Sequence, residues 1–573
     1  MHASQTILTE RVDDIPLLLN QMQQMALPAL IDRHFPAHGN WQGLSLGWVC
    51  TIWLRSILSR GDHRLVHVEP WVASRLLTFR AVTGQHVERT DVTDDRLERV
   101  LRHLSDDTRW RQLEHALNEH GIRVYDLSCQ RVYVDSPTAS ADSLVSEDGL
   151  FQFGHSKDHR PDLPQVKVMQ AVLDPLGMPV ATDVVSGERA DDPLYIPCIQ
   201  RVQESLGRCG LLFVGDCTMA SRETRAFIAS RGDFYLCPLP HIQLAEGELE
   251  EAIEAINSGE HALLPVFRAS DADEPELIAE GVERQAPMQV EVAGKPQHWP
   301  ERRLVIRSIG HAKAAETALR ARVAKAKAQV EALNLRGRGR KRFAEIDDLR
   351  QVVVEVVQRH QVEEFLWLRY DQRTTKHRIR AYRGRPAGVQ EERQAIVEVR
   401  VDEAALALAI RRLGWRVYGT NQPSQQLSLE QAVLAYRQEY QGERSLGRLK
   451  GRPLSLTPMY VQRDDHATGL IRLLSIALRV LTLLEFVVRR QLAAQGNVLG
   501  GLYAGNSKRE TARPTAERLL EAFQEVTLTV IEGTQQSYRP LTALSPLQER
   551  ILELLGFSAQ VYTRLCDVSH EPP

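Results

Sequence analysis

The chain lacks the features that mark several large protein classes. Seven cysteines are scattered over 573 residues and none stands in a C-x2-C pair. That excludes a disulfide framework, argues against structural zinc, and suits a reducing cytosol. The opening residues lack the basic-then-apolar pattern of a signal peptide. The most apolar run, Leu473–Val488, is interrupted by Arg479 and Glu485 and bounded by Arg472 and Arg489. It is too short and too charged to cross a hydrocarbon core of about 30 Å, so a buried helix and no membrane contact are expected there. No Walker-type loop, G-x-S-x-G elbow or H-E-x-x-H is present. A net charge of only -3 means that any nucleic-acid surface must be local.

The remaining composition is ordinary for a globular protein, with 43% hydrophobic and 25% charged residues. The length is too great for one core, so several modules are expected. Residues 1–125 read as helical: Ile15, Leu18, Leu19, Met22 and Met25 share a face, as do Leu97, Val100, Leu101 and Leu104. Thr93 is a reasonable N-cap for the second of these helices.

Two strand ends carry aspartates. Arg131-Val-Tyr-Val-Asp135-Ser136 alternates and is rich in β-branched residues, and Leu211-Leu-Phe-Val-Gly-Asp216 is a continuous apolar run of the buried-strand type. An aspartate there is held by rigid backbone yet open to solvent, as a metal ligand must be; a turn or helix-cap role is the bland alternative. Between them lie two strand-like runs, Gln165–Asp174 and Pro179–Ser186, joined by Pro-Leu-Gly, and a helical stretch over 191–206. A helix near 221–230 and a strand over 233–238 follow. The order β-β-β-α-β-α-β is the ribonuclease-H-like order, a mixed five-stranded sheet with helices.

Downstream, Tyr436-Arg-Gln-Glu439-Tyr-Gln-Gly-Glu443 continues through Leu446 to Lys450. Wound as one helix, Tyr436, Glu439, Glu443, Leu446 and Lys450 fall within an arc of roughly 80°. Two carboxylates, a phenol and a lysine make a poor core face but a plausible wall for handling metal and phosphate; a solvated helix is the alternative. Asp135, Asp216 and Glu443 together are three hard oxygen donors of the kind Mg²⁺ or Mn²⁺ takes.

These segments resemble the DDE transposases of bacterial insertion sequences, in particular the group with the helical signature Y-x2-R-x3-E-x6-K. Tyr436, Glu443 and Lys450 match it, and Glu439 stands at the arginine position. Val132–Thr138 and Val214–Met219 look like the two aspartate motifs. Gly154-His155-Ser-Lys157-Asp-His-Arg160-Pro-Asp-Leu-Pro-Gln165 looks like a recurring element of one subgroup. The resemblance spans about residues 125 to 490.

It implies a ribonuclease-H-like α/β core (126–242 and 429–495) interrupted by an insertion domain (243–428), a helical DNA-end-binding domain (1–125) and a helical tail (496–573). It implies metal-dependent DNA cleavage and strand transfer. Asp135, Asp216 and Glu443 would hold two Mg²⁺ or Mn²⁺ ions roughly 3.5–4 Å apart, Lys450 would contact a phosphate, and Tyr436 would orient the strand. The partners implied are terminal inverted repeats, target DNA and further copies of the chain, in a bacterial cytoplasm. Glu439 leaves two outcomes open: it joins the metal shell, or it impairs the activity. A nuclease without joining activity and an inactive DNA-binding protein are the alternative readings.

Basic residues suggest where DNA would lie. Arg336, Arg338 and Arg340 alternate with glycine; Arg373, Arg378, Arg380 and Arg383 sit near His377, Tyr382 and Trp367, a mixture that grips a backbone and stacks an unpaired base. His155, Lys157 and Arg160 form a shorter group beside Asp135, and Arg448 lies on the Glu443 helix. Solvated charge faces are the alternative throughout. The insertion also shows an acidic helix over 246–254, an Ala/Lys/Arg-rich helix or coiled-coil half over 312–335, and strands over 365–370 and 395–401.

Overall fold

The computed structural model describes residues 6–37, 39–269, 274–292, 294–337, 341–379, 388–438, 440–506, 508–532 and 537–566. It divides into two compact units, one of Met1–Cys237, Pro287–Trp299 and Ala435–Pro573, the other of Pro238–Ala286 and Pro300–Leu434.

The first unit is built on a mixed sheet. Its strands are β1 (Arg131–Asp135), β2 (Gln165–Leu173), β3 (Met178–Ser186), β4 (Leu212–Gly215) and β5 (Phe234–Pro238), in spatial order β3-β2-β1-β4-β5. β1 runs antiparallel to β2 and parallel to β4, and β4 runs parallel to β5. β2 is buried along its whole length, as expected of a strand covered on both faces. Crossing helices α1 (Asp192–Leu206) and α2 (Arg222–Ser230) connect the parallel strands. The α2 start is capped by Ser221, whose hydroxyl accepts from the Thr224 amide.

Two later helices complete the unit: α3 (Tyr440–Lys450) and the 32-residue α4 (Asp464–Gln495). α4 is buried nearly throughout, and its charges explain why such an apolar helix belongs to a protein core. Arg472 donates to the Leu104 and Ser105 carbonyls and to Asp107, and Arg479 pairs with Glu114 at 3.4 Å and donates to the Asn118 side-chain oxygen, Oδ1. Burial pulls both guanidinium groups down to about 10, and it pushes the Glu114 carboxyl up against the opposing pull of Arg201 and Arg479. No helix among the described residues is long and apolar enough to cross a membrane.

The amino-terminal helices include Ile15–Gln24, Leu46–Arg60, Asp94–Ser105 and Asp107–Tyr125. Thr93 occupies the N-cap of Asp94–Ser105, but its side chain makes no capping bond. A strand unmarked in the sequence, Thr6–Arg11, pairs antiparallel with Thr527–Glu532. Residues 1–125 and 496–573, expected as separate modules, thus fall within one compact unit. The Ser545/Gln548 capping box opens Pro546–Leu555.

The second unit carries Leu264–Arg268, Trp415–Thr420 and the parts of Glu276–Val292 and Lys295–Ser308 outside 287–299; the sheet order is Leu264–Arg268, Glu276–Val292, Lys295–Ser308, Trp415–Thr420. It also holds a long antiparallel hairpin, Leu366–Ile379 with Gly388–Val401, whose strands run well past the spans expected. Helix Ile309–Leu333 has one buried stripe, Leu319, Val323, Ala326 and Val330, and Ile346–His360 offers Leu349, Val353 and Val357. Both stripes pack against Val397 and Val399 at the hairpin base. The Lys- and Arg-rich positions of the first helix are the solvated remainder of an amphipathic element.

Glu114→Ala should leave the buried Arg479 without a carboxylate partner, Arg201 keeping Asp183 and Asp107, and lower the stability of the first unit by about 3–5 kcal/mol. Glu98→Ala, which removes an exposed partner of Arg102, should cost no more than about 1 kcal/mol. Denaturant midpoints of the two variants check this contrast.

Candidate active site

The site begins with strand register. Val134 pairs with Gly215 across the parallel β1–β4 ladder, so Asp135 and Asp216 emerge side by side where the two strands end. Gly215 is required there. A Cβ would stand 2.8 Å from Met219 Sδ and 3.2 Å from the Val134 carbonyl oxygen.

The two carboxylates are held differently. Asp216 Oδ1 accepts from the Tyr195 hydroxyl at 2.9 Å and the Thr218 amide at 2.9 Å, and Oδ2 accepts from the Thr218 hydroxyl at 3.0 Å. Tyr195 is fully buried. Burial and the charges of Asp216 and Asp135 push its phenol well above the ordinary value, so it stays a donor. Asp135 Oδ1 accepts from the Ser136 amide at 2.7 Å. Burial raises the Asp135 carboxyl, Lys157 opposes the shift, and Asp216 and Asp191 add to it. The side chain keeps 41% of its surface toward solvent, which moderates the effect.

α3 faces this strand end. Asp135, Gln170 and Val172 from the sheet and Gly442, Glu443 and Leu446 from α3 line one small cavity of about 20 Å³. Two bonds secure the approach to α3: Tyr133 donates to the Ala435 carbonyl at 2.6 Å, and Arg131 donates to Gln438 at 3.3 Å. The far side of α3 is tied to α4. Glu485, 4% exposed, accepts from Arg444 at 2.7 Å, from Arg448, and from the Ala516 amide at 2.9 Å, with Arg489 at 3.1 Å. This network fixes the roll of the helix that presents Glu443.

The single stripe from Tyr436 to Lys450 is not one helix. Leu429–Arg437 ends with an i to i+3 bond from the Gln438 amide to the Ala435 carbonyl, and α3 starts at Tyr440. Tyr436 and Glu443 thus belong to different helices. Glu439 lies outside the described residues.

Lys157 reaches inward: its ammonium donates to Ser136 O at 2.8 Å, pairs with Asp191 at 3.0 Å and stands 3.9 Å from Asp135 Oδ1. Lys450, at the end of α3, pairs with Asp158 of the same loop at 2.5 Å. His155 and Arg160 are exposed, and Arg160 pairs with Asp162 at 2.7 Å. Arg448, expected to face DNA, is buried and pairs with Glu517 at 2.8 Å as well as Glu485; its charge is spent within the protein. Tyr195, Asp191 and Gln170 carry no local signal in the sequence, because nothing in a local pattern says that these residues converge.

In the second unit, Arg336 donates to Gln394 at 2.8 Å. On the hairpin, Arg373 and His377 point to one face and Lys376 and Arg378 to the other, by the two-residue period of a strand. Lys376 pairs with Glu391 at 3.0 Å and His377 with Glu392 at 3.2 Å. The expected cluster is therefore split between two faces and partly neutralised. Arg338, Arg340, Arg380 and Arg383 lie outside the described residues.

Among the described residues, no three His, Cys, Asp or Glu side chains stand close enough together to hold a metal ion. Asp135 and Glu443 share the cavity with a buried amide, that of Gln170, whose nitrogen and oxygen have no hydrogen-bond partner among the described residues. A set of hard oxygen donors around an unpaired polar group fits Mg²⁺ or Mn²⁺.

No protein-family model matches the chain, and no curated protein sequence matches it. Among solved structures it is similar to a piggyBac transposase synaptic complex with hairpin DNA, at 10% identity and a TM-score of 0.26. The match covers 49% of this chain and 60% of that one. A likeness so distant carries no argument about fold or activity.

A carboxyl raised in the folded chain keeps its proton there to a higher pH than in the unfolded chain. Stability is therefore lost as pH rises from the unfolded value through the folded one. Asp135→Asn removes that cost while retaining the bond from Ser136. Without divalent metal, the variant should melt above the parent at pH 7, and the gap should close below about pH 4. Thermal denaturation across that range checks the sign.

Proposed function

We propose that this chain is a DNA transposase, using divalent metal to cleave the ends of an insertion sequence and join them to target DNA. The observation that carries the reading is the placement of Asp135 and Asp216 at the ends of adjacent parallel strands, with Glu443 lining one cavity with Asp135. The mixed sheet order, with one antiparallel strand pair leading into parallel ones, is the order expected of a ribonuclease-H-like core.

In this reading Asp135, Asp216 and Glu443, which do not stand close enough together for this in the structure, draw in around the metal, with Ser136, Tyr195 and Thr218 fixing the two aspartates. Bound divalent ions would activate water, or a 3′-hydroxyl, and neutralise the leaving oxygen. The same carboxylates then serve hydrolysis and strand transfer, because only the nucleophile changes. Lys450 contacts a DNA phosphate, and Tyr436, on the preceding helix, orients the strand. Pairing two DNA ends calls for more than one copy of the chain.

Duplexes taken from the DNA flanking the coding sequence test this in the presence of Mg²⁺. Nicked ends and joined products are expected. Nicks without joining would make the chain a nuclease, and binding without nicks an inactive DNA-binding protein. Asp135→Asn, Asp216→Asn and Glu443→Gln should each abolish cleavage while duplex binding survives.

Asp158 holds the Lys450 ammonium where a phosphate would otherwise engage it. Asp158→Asn should therefore tighten duplex binding and steepen its salt dependence by about 0.9 in logarithmic slope, the equivalent of one added phosphate contact. Affinity titrations over a range of salt concentrations read both quantities.

A further inference from the structure

We propose that Gln170 is a further residue of the metal site, binding through its side-chain amide to a hydrated divalent cation held between Asp135 and Glu443. The inference rests on the metal-dependent reading given above.

The position of Gln170 follows from strand register. It is the cross-strand partner of Asp135 in the antiparallel β1–β2 ladder, and directly opposed residues project to the same face. Its neighbours on that face of β2 are Val166, Val168 and Val172, all buried. A glutamine in that row is anomalous for a core strand. Gln170 is 2% exposed, and neither its amide nitrogen nor its amide oxygen has a hydrogen-bond partner among the described residues. Leaving both ends of a buried amide unpaired is unfavourable and uncommon.

Other polar residues on the same strand do find protein partners. The Gln165 amide nitrogen donates to the Gly187 carbonyl at 2.9 Å, and Lys167 pairs with Asp191 at 2.5 Å. Gln170 instead lines the cavity that Asp135 and Glu443 share.

The size of that cavity limits its occupant. About 20 Å³ is available, and one water needs roughly 10–15 Å³. The space therefore takes only one or two small species, such as a cation and a water, and excludes a base or sugar. A water alone would satisfy the amide but bring no positive charge to a cavity lined by Asp135 and Glu443. A divalent cation with its water answers both, since Gln carbonyl oxygens belong to the hard donor set that such ions accept.

The test measures Mn²⁺ affinity of the full chain by calorimetry, and melting temperature with and without Mn²⁺, for Gln170→Met and Gln170→Glu. Methionine keeps the shape and removes both polar atoms. The metal-free variant should melt above the parent, while Mn²⁺ affinity should fall roughly tenfold and the metal-induced rise in melting temperature should shrink. Gln170→Glu, which adds a charge to the donor set, should bind Mn²⁺ more tightly than the parent. Unchanged affinity in either variant overturns the proposal, and so does a lower metal-free melting temperature in Gln170→Met, which would mean that the amide has a partner within the protein. A parent chain that binds no Mn²⁺, or whose binding is untouched by Asp135→Asn, would instead overturn the metal site itself.

Discussion

The parallel pairing of Arg131–Asp135 with Leu212–Gly215 is the constraint on which the candidate site depends. Its register puts Val134 opposite Gly215, and the two strands then deliver their aspartates together. Only a residue without a side chain fits at 215, against Met219 and the Val134 carbonyl. Like charges brought this close are unfavourable unless something offsets them. Backbone and hydroxyl donors from Ser136, Tyr195 and Thr218 supply part of the offset, and the Lys157 ammonium supplies more. The remaining unfavourable charge is what a bound cation would relieve.

The sheet alone does not place Glu443. That falls to Glu485, a buried carboxylate on α4 that gathers Arg444 and Arg448 from α3. Buried ion pairs add little net stability when the cost of removing them from water is counted, but they punish the loss of one partner heavily. Here their effect is geometric, because the arginines leave α3 on the side away from the cavity and set its rotation. The same logic governs the other end of α4, where Arg472 and Arg479 bind the helix to the amino-terminal helices through Asp107 and Glu114. A long and largely apolar helix is thereby committed to the interior of the first unit.

Much of this core was legible in the sequence, for physical reasons. The strands of β1, β2, β3, β4 and β5 are short, β-branched and bounded by turn residues, so periodicity found each within a residue or two. Asp135 and Asp216 were legible as strand-end acids. What periodicity could not supply was long-range pairing. The strand Thr6–Arg11 forms because Thr527–Glu532 lies beside it, and the strands Glu276–Val292 and Lys295–Ser308 carry too many charged positions to signal a sheet. The break between Arg437 and Tyr440 was missed because a single helical wheel assumes an uninterrupted phase. Arg448 was assigned to DNA because a sequence shows a charge without the Glu485 and Glu517 that absorb it. Gln170 is one polar residue in an apolar strand, and only the register sets it beside Asp135.

The central claim is that Asp135 and Glu443 hold a divalent cation in the cavity between β1 and α3. Anomalous diffraction from crystals of the full chain grown with Mn²⁺ tests it most directly. The account predicts an anomalous peak within coordination distance of a carboxylate oxygen of Asp135 and one of Glu443. Strong Mn²⁺ peaks confined to other parts of the molecule, with none at that cavity, would contradict it.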